Sequence, residues 1–369
     1  MMAFSDYAAE STVLTQCWPN LRLAQRQDLP RVAEFLPQLG GDLFPERYPG
    51  RTTLDFYEWK YLENPAGRAV VGIAVAGEQV VSVVAAVPKR VVLQKVHVIA
   101  YELGDFLTDS HFRGKGLFSA LIELVCKEIS RIGGVLAYVR PNESSFPILL
   151  KLGFIEAQQM ESRRYVVPSA TLSRKTGIPA RTFQMVGLDW ASRRRCVPLH
   201  RQSSVVIEDL QRFDSSIDPV WENNVDHFQL ALCRDSAYLN WRFAKCPTPY
   251  RIFVAHDRGN ITGYMVTFIQ TSAPIARILE LVAEPNDLHV PELLVATVVR
   301  AMLDSGIESI HTWTAQEQLA VTADAVLRRL CPLTASRRLH VAVRILHPER
   351  FRQLPPTGWY LSAGDFDGF

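Results

Sequence analysis

The sequence predicts an α/β (α+β) chain of two consecutive units, each a mixed central sheet flanked by helices. Three observations lead there. An internal repeat comes first: Phe56-x-x-Trp59-Lys60-Tyr61-x-x-x-Pro65 returns as Tyr238-x-x-Trp241-Arg242-Phe243-x-x-x-Pro247, and one pattern kept at one spacing signals two copies of a supersecondary unit. Each copy then runs into paired β-rich segments divided by turn residues, Val70–Val75 with Val80–Val87 and Ile252–Ala255 with Ile261–Ile269. Finally, a strand at Val98–Thr108 passes through a glycine-containing loop straight into an apolar-sided helical segment, Gly116–Ile132.

Within the first unit, Leu21–Ala24 reads as a short strand. Asp28-Leu29-Pro30 starts a helix, because Asp can cap it and proline is tolerated in the first turn. Thr53–Leu62 forms a second helix that ends before Pro65, and the Gly77-Glu78 turn closes a hairpin. Gly133-Gly134 stops the long helix. Val135–Val139 is a buried strand, Asn142–Leu152 a helix ended by Gly153, and Arg164–Val167 a closing strand. The second unit repeats the order: strand Val205–Ile207, helix Asp209–Asn223, the Trp241 helix and its hairpin, strand Ile278–Ala283, helix Pro291–Leu303, strand Ser309–Trp313, helix Ala315–Leu330 and strand Leu339–Leu346. The expected division is 1–167, a partly helical linker 168–201, 202–348, and an irregular Gly-, Pro- and Asp-rich tail 349–369.

Composition narrows the function classes. At 369 residues, 48% hydrophobic and 21% charged, the chain can build two packed cores. A net charge of +2 argues against nucleic acid as a partner. The Arg163-Arg164 and Arg193–Arg195 clusters read as solvated surface. The cysteines Cys17, Cys126, Cys196, Cys233, Cys246 and Cys331 form no CxxC pair and have no histidine at zinc-ligand spacing. They read as reduced thiols of a cytoplasmic protein, with no metal expected. The N-terminus lacks a basic region and a long apolar run, and Ala69–Pro88 is broken at Gly77-Glu78-Gln79, so neither a secretory signal nor a membrane span is expected.

The chemistry concentrates in Gly104-Asp105-Phe106-Leu107-Thr108-Asp109-Ser110-His111-Phe112-Arg113-Gly114-Lys115-Gly116-Leu117-Phe118. A strand, a glycine loop and a helix start together present free backbone N–H groups and partial positive charge, which suits phosphate or pyrophosphate. Arg113 and Lys115 add full charges. The loop is neither GxGxxG nor GxxxxGK[ST]. It resembles the acyl-CoA loop of the GNAT superfamily of N-acetyltransferases, (Arg/Gln)-x-x-Gly-x-(Gly/Ala): Arg113 and Gly116 match, and Phe118 stands where Gly or Ala is usual. Downstream, Asn142-Glu143-Ser144-Ser145-Phe146-Pro147-Ile148-Leu149-Leu150-Lys151-Leu152-Gly153-Phe154 resembles the superfamily's Asn-x-x-Ala-x-x-Leu-Tyr-x-x-x-Gly-Phe. Leu149 there replaces the tyrosine that often protonates the leaving thiolate.

The resemblance implies a tandem GNAT fold with acetyl-CoA as co-substrate. The site would be Phe106, Leu107, Thr108, Arg113, Gly114, Lys115, Gly116, Leu117, Phe118 and Asn142, with pantetheine along Phe106–Thr108. It also implies a base at Glu102, with Asn142 a second catalytic candidate and Asp105 and Asp109 weaker ones. Strict alternation puts Glu102, Gly104, Phe106 and Thr108 on one face and Asp105 on the other; an ion-paired strand-end carboxylate is the plainer alternative for Glu102. In the second unit, Glu284-Pro285-Asn286-Asp287-Leu288-His289-Val290-Pro291 has no glycine or arginine and two acidic groups, so that unit is expected to be degenerate and to cover the cleft or set specificity. Trp59 and Trp241 read as packing residues. The expected activity is direct acetyl transfer to a primary amine of a small molecule, amino sugar or peptide. A non-catalytic acyl-CoA-binding module and an aminoacyl-tRNA-dependent transferase are the alternatives, and a homodimer is left open.

Overall fold

The structure, a computed structural model, describes residues 18–36, 52–185, 187, 189, 204–270, 272–314, 318–331, 333–355 and 358–366. The Arg193–Arg195 cluster and the segment 37–51 lie outside the described residues.

Strand β1 (Asn20–Leu23) leads into α1 (Leu29–Phe35) through a turn in which the Asp28 carboxylate accepts from the Gln25 N–H at 2.8 Å and pairs with Arg22 at 2.6 Å. Helix α2 (Thr53–Leu62) begins where the sequence places it. Thr52 Oγ1 accepts from the Asp55 N–H at 3.1 Å, and the Asp55 carboxylate accepts from the Thr52 N–H at 2.9 Å, a reciprocal cap. Strands β2 (Val70–Ala76), β3 (Gln79–Leu93) and β4 (Val96–Thr108) follow, then α3 (Leu117–Arg131), β5 (Leu136–Val139), α4 (Phe146–Lys151) and β6 (Ile155–Val166). Helices α5 (Pro168–Thr176) and α6 (Ala180–Met185) lie in the expected linker.

The second half opens with β7 (Val205–Leu210) and α7 (Asp218–Val225), so the expected helix Asp209–Asn223 is shorter and starts later; a strand end occupies its first residues. Next come β8 (Leu230–Leu232), α8 (Ser236–Leu239) continuing as a π-turn over Asn240–Ala244, β9 (Tyr250–Asp257), β10 (Asn260–Ile269), β11 (Ile275–Ala283), α9 (His289–Asp304), β12 (Ser309–Thr314), α10 (Gln318–Leu330) and β13 (Leu333–Ile345). The tail is not irregular throughout: β14 (Trp359–Tyr360) pairs with β8, and Trp359, Tyr360, Leu361 and Phe366 are buried.

The α/β class holds, with helices on both sides of mixed β-structure, but the two expected sheets are one. Its order is β1-β2-β3-β4-β5-β13-β6-β12-β11-β10-β9-β7, with β8 joined to β3. The late strand β13 inserts between β5 and β6, pairing Ala342 with Val139 and Leu339 with Met160. Strand β6 in turn pairs with β12, Arg164 opposite His311. The closing strands of the halves are thus exchanged, which removes the edges two separate sheets would expose.

One face of this sheet is covered by α3 over the first half and α9 over the second, through Leu117, Leu121 and Val125 and through Leu294, Val298 and Met302 respectively. The opposite face carries one core to which both halves contribute. There Trp59 and Trp241 stack at 5.0 Å between ring centroids, 19° apart. Each indole N–H donates to the other's backbone carbonyl, at 2.8 and 3.2 Å. Such reciprocity is what a local two-fold relation between repeat copies requires.

Candidate functional site

Strand β4 does not alternate regularly. Val83 pairs with Leu107 but Ala85 with Gly104, so Asp105 and Phe106 together oppose the single residue Val84. This is a β-bulge, and Asp105 sits at φ +53°. The extra residue moves every later side chain to the other face. Thr108 and Phe106 therefore lie on the α3 side: Thr108 Oγ1 is 2.7 Å from Ser82 Oγ, and Phe106 meets Phe118 edge-on at 5.0 Å. Glu102 and Asp105 lie on the Trp59 side. The alternation expected from the sequence fails at this point, because a period of two cannot cross a bulge.

Asp105 is held from α2. Lys60 Nζ and the Tyr61 hydroxyl donate to the same oxygen, Oδ2, at 2.7 and 2.6 Å. Lys60 is buried. A base and an aromatic of the repeat motif thus fix the strained residue of the bulge, so the motif that marks the repeat also shapes the site.

Beyond the bulge the Arg113 guanidinium reaches back, Nε donating to the Thr108 carbonyl at 3.1 Å, and Lys115 Nζ lies 4.9 Å from the centre of the Phe112 ring. Asp109 caps the short turn by accepting from the His111 N–H at 2.8 Å. Gly114 and Gly116 have φ of +74° and +78°, the left-handed region that favours glycine. A Cβ built on either would meet nothing within 4 Å. Gly116 caps α3 without any side-chain bond to the helix N–H groups. Arg113 to Gly116 are exposed, and Leu117 is buried behind them.

The downstream motif divides. Asn142 Oδ1 accepts from the N–H groups of Ser144 and Ser145 at 3.1 and 2.8 Å, so its carbonyl is committed to the turn before α4, and the helix begins at Phe146 instead of Asn142. Leu149 is fully buried among the residues under α3.

Glu102 is 6% exposed, and Lys89 Nζ lies 3.3 Å from its Oε2. Lys89 in turn lies over the Trp241 ring at 4.9 Å. Glu102 is thus ion-paired with Lys89. Glu102 is also the last rung between β4 and β5, paired with Tyr138. Beyond this rung β4 turns through the bulge and leaves β5, opening the sheet between Asp105 and Arg140. The Tyr138 ring meets Phe366 edge-on at 6.0 Å.

Around the second loop the donors are already used. Asp287 Oδ1 accepts from the N–H groups of His289 and Val290 at 2.8 and 3.1 Å, and Glu284 accepts from Asn223. A cavity of about 310 Å³ adjoins this loop, lined in part by Asn224, His227, Glu284, Asp287 and Tyr360. Carboxylates occupying the helix start repel CoA phosphates.

The sequence reading missed a buried network in the second half. Arg234 bonds Asp365 at 2.7 and 2.8 Å and Glu280 at 3.2 Å, and Ser362 and Tyr360 also donate to Glu280. Burial raises the Glu280 carboxyl against the pull of Arg234. Arg242, the repeat's counterpart of Lys60, donates to the carbonyls of Gly364 and Phe366 at 3.0 and 3.1 Å. Together they hold the tail against Tyr138. The signal was present in Arg242 at the Lys60 position of the repeat. Among the described residues no group of three or more His, Cys, Asp or Glu could hold a metal ion, and no helix is long and apolar enough to cross a membrane.

Residues 21–157 match the sequence model of the acetyltransferase (GNAT) domain. No curated protein sequence matches the chain. Among solved structures, an Enterococcus faecalis protein described as a probable N-acyltransferase superposes with a TM-score of 0.64 at 15% identity, over 91% of this chain and 74% of that one. A GCN5-related N-acetyltransferase from Anabaena variabilis gives 0.57 at 14%, over 89% and 73%. Saccharomyces cerevisiae N-myristoyltransferase with bound myristoyl-CoA gives 0.57 at 10%, over 89% and 79%. At these identities the likeness is one of fold.

Proposed function

We propose that the chain, whose residues 21–157 match the sequence model of the acetyltransferase (GNAT) domain, moves an acetyl group from acetyl-CoA to a primary amine by direct attack. The observation that carries this reading is the run from bulge to helix. Backbone left out of regular pairing at Asp105–Phe106 is followed by two left-handed glycines and an α3 start whose N–H groups no side chain caps. The pyrophosphate lies on Arg113–Leu117 with Phe118 beneath, and pantetheine follows Phe106–Thr108. The thioester carbonyl then lies at the opening between β4 and β5, where bulge N–H groups polarise it.

The amine approaches from the Trp59 side, where Glu102 lies. Attack forms the C–N bond, Glu102 takes the amine proton directly or through water, and the C–S bond breaks to release thiolate. Leu149 has no proton to give. Tyr138, beside Glu102 on the last rung, supplies the proton to the departing sulfur. Asn142 has a structural part, holding the turn before α4. We divide the chain at 1–167, 168–201, 202–348 and 349–369, the second half completing the sheet.

Calorimetry should give one acetyl-CoA per chain, and release of free thiol should accompany a primary amine but not a tertiary one. Tyr138→Phe should lower kcat by about tenfold or more with acetyl-CoA affinity kept. The buried Leu149 favours a second reading, a module that binds acyl-CoA without turning it over. Binding with no thiol release across an amine panel would select that reading.

A further inference from the structure

The Trp59 side of the sheet continues past Glu102 across the exchanged strands, and what it carries there is basic. Register puts Arg277 of β11 beside His311 of β12, and His311 beside Arg164 of β6. Cross-strand neighbours share a face, so these three form one row about 10 Å wide. Two residues along, Trp313, Ser162 and Arg337 form the next row. Arg140, from the end of β5, lays its guanidinium over Trp313 at 4.6 Å and links the rows to Glu102. Arg174 of α5 adds a further cation close to His311 and Arg164.

Two of the acidic neighbours are engaged off the strip and a third, Glu143, on it. Glu161 and Asp324 pair with Arg163, whose side chain alternates to the opposite face. Glu143 pairs with Arg337. Arg164 makes no ion pair or side-chain hydrogen bond among the described residues, and its Nε is buried without a partner. No carboxylate among the described residues pairs with the Arg164 guanidinium, so its charge is open to an anionic ligand. Burial, then Arg277, Arg164 and Arg174, push the His311 pKa down to about 4. At neutral pH His311 is therefore an uncharged hydrogen-bonding group between two arginines, with Ser309 Oγ 3.4 Å from its Nε2.

We propose that this strip binds the anionic part of the acceptor, so that the amine substrate bears a phosphate or carboxylate gripped by Arg164 and Arg277 and directed by Arg140 and Trp313 toward Glu102. The inference rests on the acyl-transfer reading for calling the ligand an acceptor; anion binding itself does not.

The test uses the full chain and acceptors long enough to run from Glu102 on β4 to β6, three strand spacings or about 14 Å away: the heptapeptide Ser-Gly-Gly-Gly-Gly-Gly-Gly and its acidic counterparts Ser-Gly-Gly-Gly-Gly-Glu-Glu and Ser-Gly-Gly-Gly-Gly-phosphoserine-Gly. Thiol release should favour acidic members by about tenfold or more in kcat/KM. The phosphoserine arm reports phosphate and the Glu-Glu arm carboxylate. Arg164→Ala with Arg277→Ala should remove the preference while acetyl-CoA affinity stays unchanged, and Arg164→Lys with Arg277→Lys should restore part of it. Neutral members reacting as fast, or a preference that survives the double alanine change, overturns the proposal. Calorimetry with inorganic tripolyphosphate at saturating CoA, which blocks the Arg113–Gly116 loop, gives a readout without turnover. Binding in the wild type that the double alanine change abolishes upholds the strip even if no amine reacts. No binding in the wild type refutes it even if acetyl transfer proceeds.

Discussion

Asp105→Ala tests whether the bulge is held by its own ion pair. In the folded chain the carboxylate receives Lys60 and Tyr61 on one oxygen, and the side chains of Lys60 and Asp105 are 4% and 15% exposed. Removing one partner of so enclosed a pair costs about 3–5 kcal/mol, because the remaining charge stays in low dielectric. Alanine also tolerates φ +53° less well than aspartate, adding up to about 1 kcal/mol. Asp105→Asn keeps an acceptor oxygen and the left-handed tolerance and loses only the charge, so it should cost about half as much. Urea unfolding at pH 7 measures both, and calorimetry with acetyl-CoA on the folded protein reports the loop beyond. The alanine variant should unfold at clearly lower urea and bind acetyl-CoA several-fold more weakly than the asparagine variant. An alanine variant within about 1 kcal/mol of wild type, or one equal to asparagine in both measurements, would refute the argument.

Arg113→Glu with Gly116→Asp should abolish acetyl-CoA binding in a protein that still folds, since a Cβ at Gly116 meets nothing within 4 Å and Arg113 is exposed; unchanged affinity in calorimetry would reduce the loop to a connection. Glu102→Gln should leave acetyl-CoA affinity nearly intact and lower turnover at neutral pH by about a hundredfold, the loss shrinking at high pH where the amine is already deprotonated; normal turnover across pH removes Glu102 as the base. Asp28 titrates below its ordinary value of 3.8, chiefly because Arg22 bonds it. A depressed folded pKa means stability that is present above about pH 4 and lost as pH falls through the folded value, so Asp28→Asn should be less stable at pH 7 and show less further loss between pH 4 and 2. Parallel pH profiles of wild type and variant in thermal unfolding would count against the pair.

The glycine loop, the repeat that carries Trp59 and Trp241, and the bounds of α2 were legible because each shows as a residue pattern at fixed spacing. The bulge was not. Asp105 is not glycine, and nothing nearby marks an inserted residue; only pairing with β3 reveals that two residues oppose Val84. Strand exchange was equally hidden, because which strand lies beside β5 depends on a partner about 200 residues away. The tail misled by composition. Its glycines, prolines and aspartates suggested irregularity, whereas Trp359, Tyr360 and Phe366 supply apolar area and Asp365 meets Arg234, 131 residues earlier. A buried carboxylate is invisible in sequence until its cation is placed.

The exchange also explains why a half without a usable phosphate loop would persist. Strand β13 pairs with β5 from Leu136 to Val139 and with β6 from Ile155 to Tyr165, so removing the second half would strip β5 of one neighbour and β6 of both. It would also leave Trp59 without its stacking partner and Lys89 without the Trp241 ring above it, next to Glu102. On the proposed reading the second half acts on the reaction through the walls of the site. It supplies β13 beside the opening of β4 and β5, the tail against Tyr138, and the arginines that extend the floor beyond Glu102. Those contacts require the strands and the core of the second half and place no demand on its Glu284–Pro291 loop, whose helix start is filled by Asp287. On this view truncations report only lost folding, and point changes at Arg113, Asp105 and Arg164 are the perturbations that separate cofactor, strand geometry and acceptor.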